Sequence, residues 1–308
     1  MRVIITDQVH PLLLKLLDDN HIMYEINLNK DEKKLLKIIN LFDGMIVRNR
    51  LQIDDQFLSQ SKNLKFIARY GSGMENIDLK TAEKLNIKCF NSAEGNANSV
   101  AEHITGMLLS LFHKISKSNS DMKKFIWERE RNRGLELENK KIGIIGYGNT
   151  GKSFVEKLQG FNCQIMVYDK YKSGFGNIKI KESTMANIFA YAEIISLHIP
   201  LNAETEYFIN DTIISKMKNP FYLINSSRGK IVSNKSLVKG LKSQKILGAC
   251  LDVLENEDRD FSEIKIDTNL NYLLNCENVI ITPHIAGLSL EGSRKLSKIL
   301  IEKIIKLK

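Results

Sequence analysis

The chain has 308 residues, 43% hydrophobic and 26% charged, with a net charge of +9. That length exceeds one comfortable hydrophobic core, so two domains are expected. Lysine and arginine are spread along the chain without an aromatic–basic module or helix-turn-helix signature, which excludes nucleic acid as the expected partner and favours small anions.

Four cysteines (Cys89, Cys163, Cys250 and Cys276) lie far apart with no paired spacing. Reduced buried thiols are expected rather than disulfides or a metal centre. The N-terminus lacks the apolar stretch of a signal peptide, and no window is apolar enough to span a membrane. A cytoplasmic protein is expected.

In chain order, "VIIT", "MIVR" (45–48), "KFIAR" (65–69) and "IKCF" (87–90) are strand candidates. Val100, Ile104, Met107, Leu108, Leu111 and Ile115 recur at helical spacing, which predicts one helix from Asn98 to about Lys117. Residues 118–139 are charged and weakly patterned, which predicts an irregular arm. A second series of strands opens at Lys141: "KIGIIG", "CQIMVYD" (163–169), "EIISLHIP" (193–200), "PFYLINSS" (220–227), "KILGACLDV" (245–253) and "NVIITPH" (278–284). Continuous apolar runs of this kind suit parallel strands buried on both faces. From Ser289 a single amphipathic helix is predicted.

"GYGNTG" (146–151) follows a strand and opens a helix, the context in which a Gly-x-Gly-x-x-Gly loop cradles a pyrophosphate. Gly146 would make the tight turn, Gly148 would admit the phosphates, and Gly151 would let helix and strand pack closely. The helix N-terminus adds unpaired N–H groups and a positive dipole end. Asp169, at the end of the next strand, is placed to accept the ribose hydroxyls and to repel a 2′-phosphate, so NAD is favoured over NADP.

Three further strand ends carry reactive side chains: Arg228 in "NSSRG", Asp252 and Glu257 in "LDVLENE", and His284 in "TPHIAG". Hydride transfer to a ketone develops negative charge on the carbonyl oxygen, so it needs a cation to anchor and polarise the substrate and a group that delivers a proton near neutrality. Arginine supplies the planar fork and histidine the proton. A glutamate on the other imidazole nitrogen would fix the tautomer. His103 and His198 are taken as packing or cofactor-wall residues.

Together "MIVRNRLQI", "ARYGSGMENIDL", "GNANSVAEH", "LELENKKIGIIGYGNTG", "SLHIPLNAET", "LINSSRGKIV", "ACLDVLENE" and "ITPHIAG" resemble the D-isomer-specific 2-hydroxyacid dehydrogenases. The resemblance covers nearly the whole chain and is strongest to phosphoglycerate dehydrogenases without a regulatory domain. It implies two doubly wound parallel-sheet α/β domains, with a Rossmann nucleotide-binding domain (98–284) inserted in a flavodoxin-like substrate domain (1–97 plus 285–308).

By the same resemblance, Arg228, Glu257 and His284 are catalytic. Gly146, Gly148, Asn149, Thr150, Gly151, Asp169, Ile199, Ser226, Ser227, Asp252 and Gly287 line NAD, with Asp252 on the nicotinamide carboxamide. Gly71, Ser72 and Gly73 offer backbone N–H groups to the substrate carboxylate. Arg48 and Arg69 match a phosphate-contacting pair, which points to 3-phospho-D-glycerate and serine biosynthesis. Hydroxypyruvate or glyoxylate reduction is the alternative, and a non-catalytic NAD sensor a remote one. A homodimer through 98–139 and no metal are implied. Asn149-Thr150 stands where the family commonly has Arg-Ile, which removes one pyrophosphate contact.

Overall fold

The computed structural model describes residues 1–29, 32–258, 261 and 263–307. The chain divides into two units: Met1–Ala97 with Gly287–Lys308, and Asn98–Asp258 with Glu263–Ala286.

In the first unit, β1 (Arg2–Ile5), β2 (Met23–Ile26), β3 (Gly44–Val47), β4 (Phe66–Arg69) and β5 (Lys88–Asn91) form a parallel sheet ordered β2-β1-β3-β4-β5. Alternate residues serve opposite faces. Val3, Ile5, Ile46, Phe66 and Ala68 join one core with Leu296, Leu300 and Ile304 of the last helix. Ile4, Met45, Val47 and Ile67 join another with Leu35, Phe42 and Phe57. Burial on both faces is why these strands are apolar without a break. β2 was not foreseen from the sequence: it is an edge strand whose Met23 is 66% exposed, so it lacks that pattern. The last helix, Leu290–Ile305, starts where Ser289 Oγ accepts the Gly292 N–H.

In the second unit, β6 (Lys141–Ile145), β7 (Gln164–Tyr168), β8 (Ile180–Glu182), β9 (Ile194–Leu197), β10 (Phe221–Asn225), β11 (Ile246–Leu251) and β12 (Val279–Ile281) form a sheet ordered β12-β11-β10-β9-β6-β7-β8. All its strand pairs are parallel. The expected class, two parallel α/β sheets, is what the chain builds. From β6 the chain grows outward through β7 and β8, then crosses to β9 and grows the other way. That reversal creates a crevice at the carboxyl ends of β6 and β9, the usual ligand site of such sheets. β8 also escaped notice in the sequence, being three residues long with two of them exposed.

The long helix differs from expectation. It ends at Phe112, Lys114 turns left-handed (φ 51°), and a second helix runs from Ile115 to Lys123. The Phe112 carbonyl, which a continuous helix would offer to residue 116, accepts the Leu135 N–H instead at 2.9 Å. A returning segment thus caps the helix, which periodicity cannot reveal. Part of the expected irregular arm is correspondingly helical.

No helix among the described residues is long and apolar enough to cross a membrane. All four cysteines are free thiols. Burial pushes the Cys89 thiol up to about 11 and raises Cys163 and Cys250 as well, so these thiols are poor nucleophiles.

Candidate active site

The glycine loop joins β6 to the helix Asn149–Leu158. Gly146 has φ 99°, and a Cβ there would fall 2.3 Å from the His198 carbonyl oxygen. A Cβ on Gly151 would fall 2.2 Å from the Gly146 oxygen, whereas one on Gly148 would meet nothing within 4 Å. Two glycines are therefore demanded by the fold, and the third leaves open space in front of the helix. No side chain caps that N-terminus, so its N–H groups remain for an anion. Asn149 is exposed and Thr150 half-buried beside it.

Asp169 ties this loop to the end of β7. Its carboxylate accepts the N–H of Tyr147 at 2.7 Å, Tyr171 at 2.9 Å and Lys172 at 3.0 Å. Partial burial opposes its ionisation, but those three bonds and the Lys172 charge outweigh it and hold the carboxyl below its ordinary value. Lys172 Nζ also donates to the Tyr147 carbonyl at 2.8 Å. Lys170, the next residue after Asp169, pairs with Glu204.

Across the crevice, Ile199 follows β9 and packs on the core beneath. Ser227 Oγ donates to the Leu197 carbonyl at 2.7 Å. The Ser226 hydroxyl is buried and has no partner among the described residues. His198 is 9% exposed; Nε2 bonds the Ser196 hydroxyl at 2.8 Å, and burial pushes the imidazole down to about 3. It is a buried, neutral imidazole near pH 7 and not a proton carrier. The open space over Gly148, the uncapped helix start, the ionised Asp169 and the partnerless Ser226 hydroxyl all fit a bound dinucleotide.

Arg228 sits in a turn braced by Asn225, which the sequence alone did not single out. The Asn225 side chain donates to the Arg228 carbonyl at 3.0 Å and accepts the Ser227 N–H at 3.1 Å. Gly229 then passes so close to the next loop that a Cβ would lie 1.9 Å from the Leu254 oxygen. In that next loop, Glu257 Oε1 accepts the Leu254 N–H at 2.6 Å and Oε2 meets His284 Nδ1 at 2.8 Å. The dyad is mostly enclosed, with side-chain exposures of 14% and 22%.

His284 has a left-handed backbone, φ 55°, a conformation that costs a non-glycine residue about 1–3 kcal/mol. Asp252, 2% exposed, holds it there. Its carbonyl accepts the His284 N–H at 2.8 Å. Its carboxylate accepts the N–H of Ile285 and of Ala286, both at 2.9 Å.

In the first unit, Arg48 and Arg69 end neighbouring strands, Val47 being paired with Arg69. Arg69 is 6% exposed; Nη1 donates to the Tyr70 carbonyl at 2.8 Å and Nη2 to Asn49. The Arg48 guanidinium lies over the Tyr70 ring, 5.9 Å from its centroid. Of the expected carboxylate nest, the Gly71 N–H is already used, by Arg69 O at 2.9 Å and Ser92 Oγ at 3.2 Å. The Ser72 hydroxyl donates to Asn96 at 2.8 Å, and Gly287 packs on that same Asn96 side chain. Gly73 is half-buried after it. No cluster of three metal-ligating side chains occurs among the described residues.

A glycine-loop crevice at a sheet reversal, with an arginine and a histidine–glutamate dyad on the neighbouring strand ends, defines a dinucleotide-dependent dehydrogenase. The profile of the D-isomer specific 2-hydroxyacid dehydrogenase NAD binding domain matches residues 105–286. A hydroxypyruvate reductase of Thermotoga maritima is 34% identical over 280 residues, covering 91% of this chain and 89% of that protein. A D-3-phosphoglycerate dehydrogenase of Methanocaldococcus jannaschii is 31% identical over 99% of this chain, which spans only 57% of that protein. Among solved structures, a D-lactate dehydrogenase of Aquifex aeolicus complexed with NAD and lactic acid superposes with a TM-score of 0.86 at 25% identity, covering 100% of this chain and 95% of that one. The chain belongs to the D-isomer specific 2-hydroxyacid dehydrogenase family. It is an NAD-binding oxidoreductase acting on CH–OH donors.

Proposed function

We propose that the protein interconverts a three-carbon D-2-hydroxy acid and its 2-keto acid, with 3-phospho-D-glycerate as substrate. The observation that carries the chemistry is the 2.8 Å bond between Glu257 and His284 Nδ1. Glu257, held by the Leu254 N–H, fixes the imidazole tautomer so that Nε2 is the nitrogen that exchanges the proton of the substrate hydroxyl. Arg228 binds the carboxylate and polarises the C2 oxygen as negative charge develops on it. The cofactor, when bound, accepts or returns the C2 hydride. Gly146, Gly148 and Gly151 shape the loop for its pyrophosphate, with Asn149 and Thr150 at the helix start. Asp169 takes the ribose. Ile199, Ser226, Ser227 and Gly287 complete the lining, while Asp252, its carboxylate engaged by Thr282, Ile285 and Ala286, acts through the His284 turn.

The phosphate reading rests on two guanidinium groups, Arg48 and Arg69, at the carboxyl ends of adjacent parallel strands. The N–H groups of Ser72 and Gly73 would take the carboxylate, that of Gly71 being held by Arg69 and Ser92. Hydroxypyruvate reduction is favoured instead by the engagement of Arg69 with its own loop and by the 34% relative spanning nearly its full length. Arg48→Ala decides between them. On the phosphate reading, it lowers kcat/KM for 3-phosphoglycerate about 100-fold, as expected for losing one charged contact of about 3 kcal/mol, and leaves hydroxypyruvate reduction nearly intact. Equal losses on both substrates would remove the phosphate reading.

The segment after the long helix supports a homodimer: Ile115, Met122, Phe125 and Trp127 are exposed, Phe125 at 96%. Apolar side chains grouped along one arm are characteristic of interfaces. Sedimentation of the wild type against Phe125→Glu with Trp127→Glu tests that reading, a monomeric wild type refuting it. Four free thiols suit a cytoplasmic location, where such groups stay reduced.

A further inference from the structure

The turn that carries His284 is held by a chain of hydrogen bonds that begins on the long helix. Thr282 Oγ1 lies 2.6 Å from Asp252 Oδ1 and 3.0 Å from His103 Nε2. The Asp252 carboxylate already accepts the Ile285 and Ala286 N–H groups. A carboxylate in that role only accepts, so the single threonine proton points to Asp252. The threonine oxygen must then accept from His103, which places a proton on His103 Nε2. That same nitrogen lies 3.6 Å from Asp252 Oδ1.

We propose that His103 and Thr282 are positioning residues for the proton transfer. His103 orients the Thr282 hydroxyl, Thr282 orients the Asp252 carboxylate, and Asp252 grips the backbone N–H groups of His284, Ile285 and Ala286. The physical need is the left-handed backbone at His284, which relaxes unless the surrounding bonds hold it. Held by the two N–H groups alone, the Asp252 carboxylate keeps some freedom about its Cα–Cβ bond; the Thr282 hydroxyl, a third donor to the carboxylate, removes it. His103 therefore acts at a distance from the substrate, through two intermediaries, rather than as a wall of the cofactor crevice. This inference rests on the reading of His284 as the proton-exchanging residue.

The test compares variants that delete a donor with variants that restore it. His103→Phe keeps a ring and loses the N–H, while His103→Gln returns an amide donor at similar reach. Thr282→Val deletes the hydroxyl and Thr282→Ser keeps it. The deletions are expected to lower kcat on the order of 10- to 100-fold, the scale of a small misplacement of a reacting group. KM for the hydroxy acid and NADH affinity, read by fluorescence titration, stay as in the wild type. Gln and Ser recover most of the loss, and the double deletion is no worse than either single one, since both cut one chain. Amide hydrogen exchange at Ile285 and Ala286 is faster in both deletions, independently of turnover.

Normal kcat and exchange in both deletions overturn the proposal, as does weakened NADH binding in step with kcat, which would make His103 a cofactor contact. Failure of Gln and Ser to recover any activity also overturns it, because packing rather than hydrogen bonding would then explain the loss. His284→Ala separates the two levels. If it stays active, the acid–base reading is at fault; if it is inactive while His103→Phe is not, only the positioning chain fails.

Discussion

Gly148→Ala tests the dinucleotide crevice most directly, because the fold itself does not need that glycine. Its φ of −80° and ψ of −161° are ordinary for alanine, and the added methyl would meet nothing within 4 Å. Alanine is a weaker helix cap than glycine, so the stability cost is about 0.5–1 kcal/mol at most. The methyl does occupy the space that a pyrophosphate needs to reach the helix amides. Losing one hydrogen bond to a charged group is worth about 1.5–3 kcal/mol, or about 10- to 150-fold in Kd. Gly151→Ala is the contrast. Its methyl would lie 2.2 Å from the Gly146 oxygen, so backbone must move at about 1–3 kcal/mol, and the melting temperature falls by about 2–4 °C per kcal/mol. NADH fluorescence titration and thermal melting of both variants give the answer. Wild-type NADH affinity in Gly148→Ala would refute the argument, and so would a loss of stability equal to that of Gly151→Ala.

Arg228→Ala and His284→Ala should each cut turnover by about 100-fold or more while NADH still binds; steady-state rates beside a binding titration check this, and near-normal kcat in either removes its role. Asp169→Asn keeps an acceptor for the loop amides but loses the charge, so the preference for NADH over NADPH should narrow by about 10-fold or more; an unchanged affinity ratio means the ribose is recognised elsewhere. His198 gives a pH signature. Its folded imidazole protonates only near 3, against an ordinary 6.5, so the unfolded chain takes up the proton first. Its contribution is intact above 6.5 and is lost as pH falls towards 3, at up to about 1.4 kcal/mol per pH unit. Urea midpoints at neutral pH and pH 5 should therefore lie closer together in His198→Gln than in the wild type; an identical gap in the two proteins contradicts this account.

Much of the fold was legible because parallel strands buried on both faces leave uninterrupted apolar runs. β3, β4, β6, β7, β9, β10 and β11 all do so. β2 and β8 leave no such run, being edge strands whose residues are mostly exposed. The end of the long helix was misplaced because the group that stops it, the Leu135 N–H, comes from 23 residues further on. Nothing in the sequence singles out Asn225, because its bracing of the arginine turn through both ends of its amide is visible only in the folded turn. Gly71 looked like an anion donor until its N–H was found spent on Ser92 and Arg69.

The order of motifs along the chain was enough to determine the family, and it singled out the glycine loop, the arginine, the glutamate and the histidine as candidates. Those are questions of which residue types follow which strand, and short-range pattern answers them. The tertiary structure alone decided how these groups are oriented. The bond from Glu257 to His284, the left-handed turn held by Asp252, and the line from His103 through Thr282 join residues up to 179 positions apart. Hydrogen bonds over that separation exist only once β11, β12 and the long helix have packed together, so no local pattern can encode them.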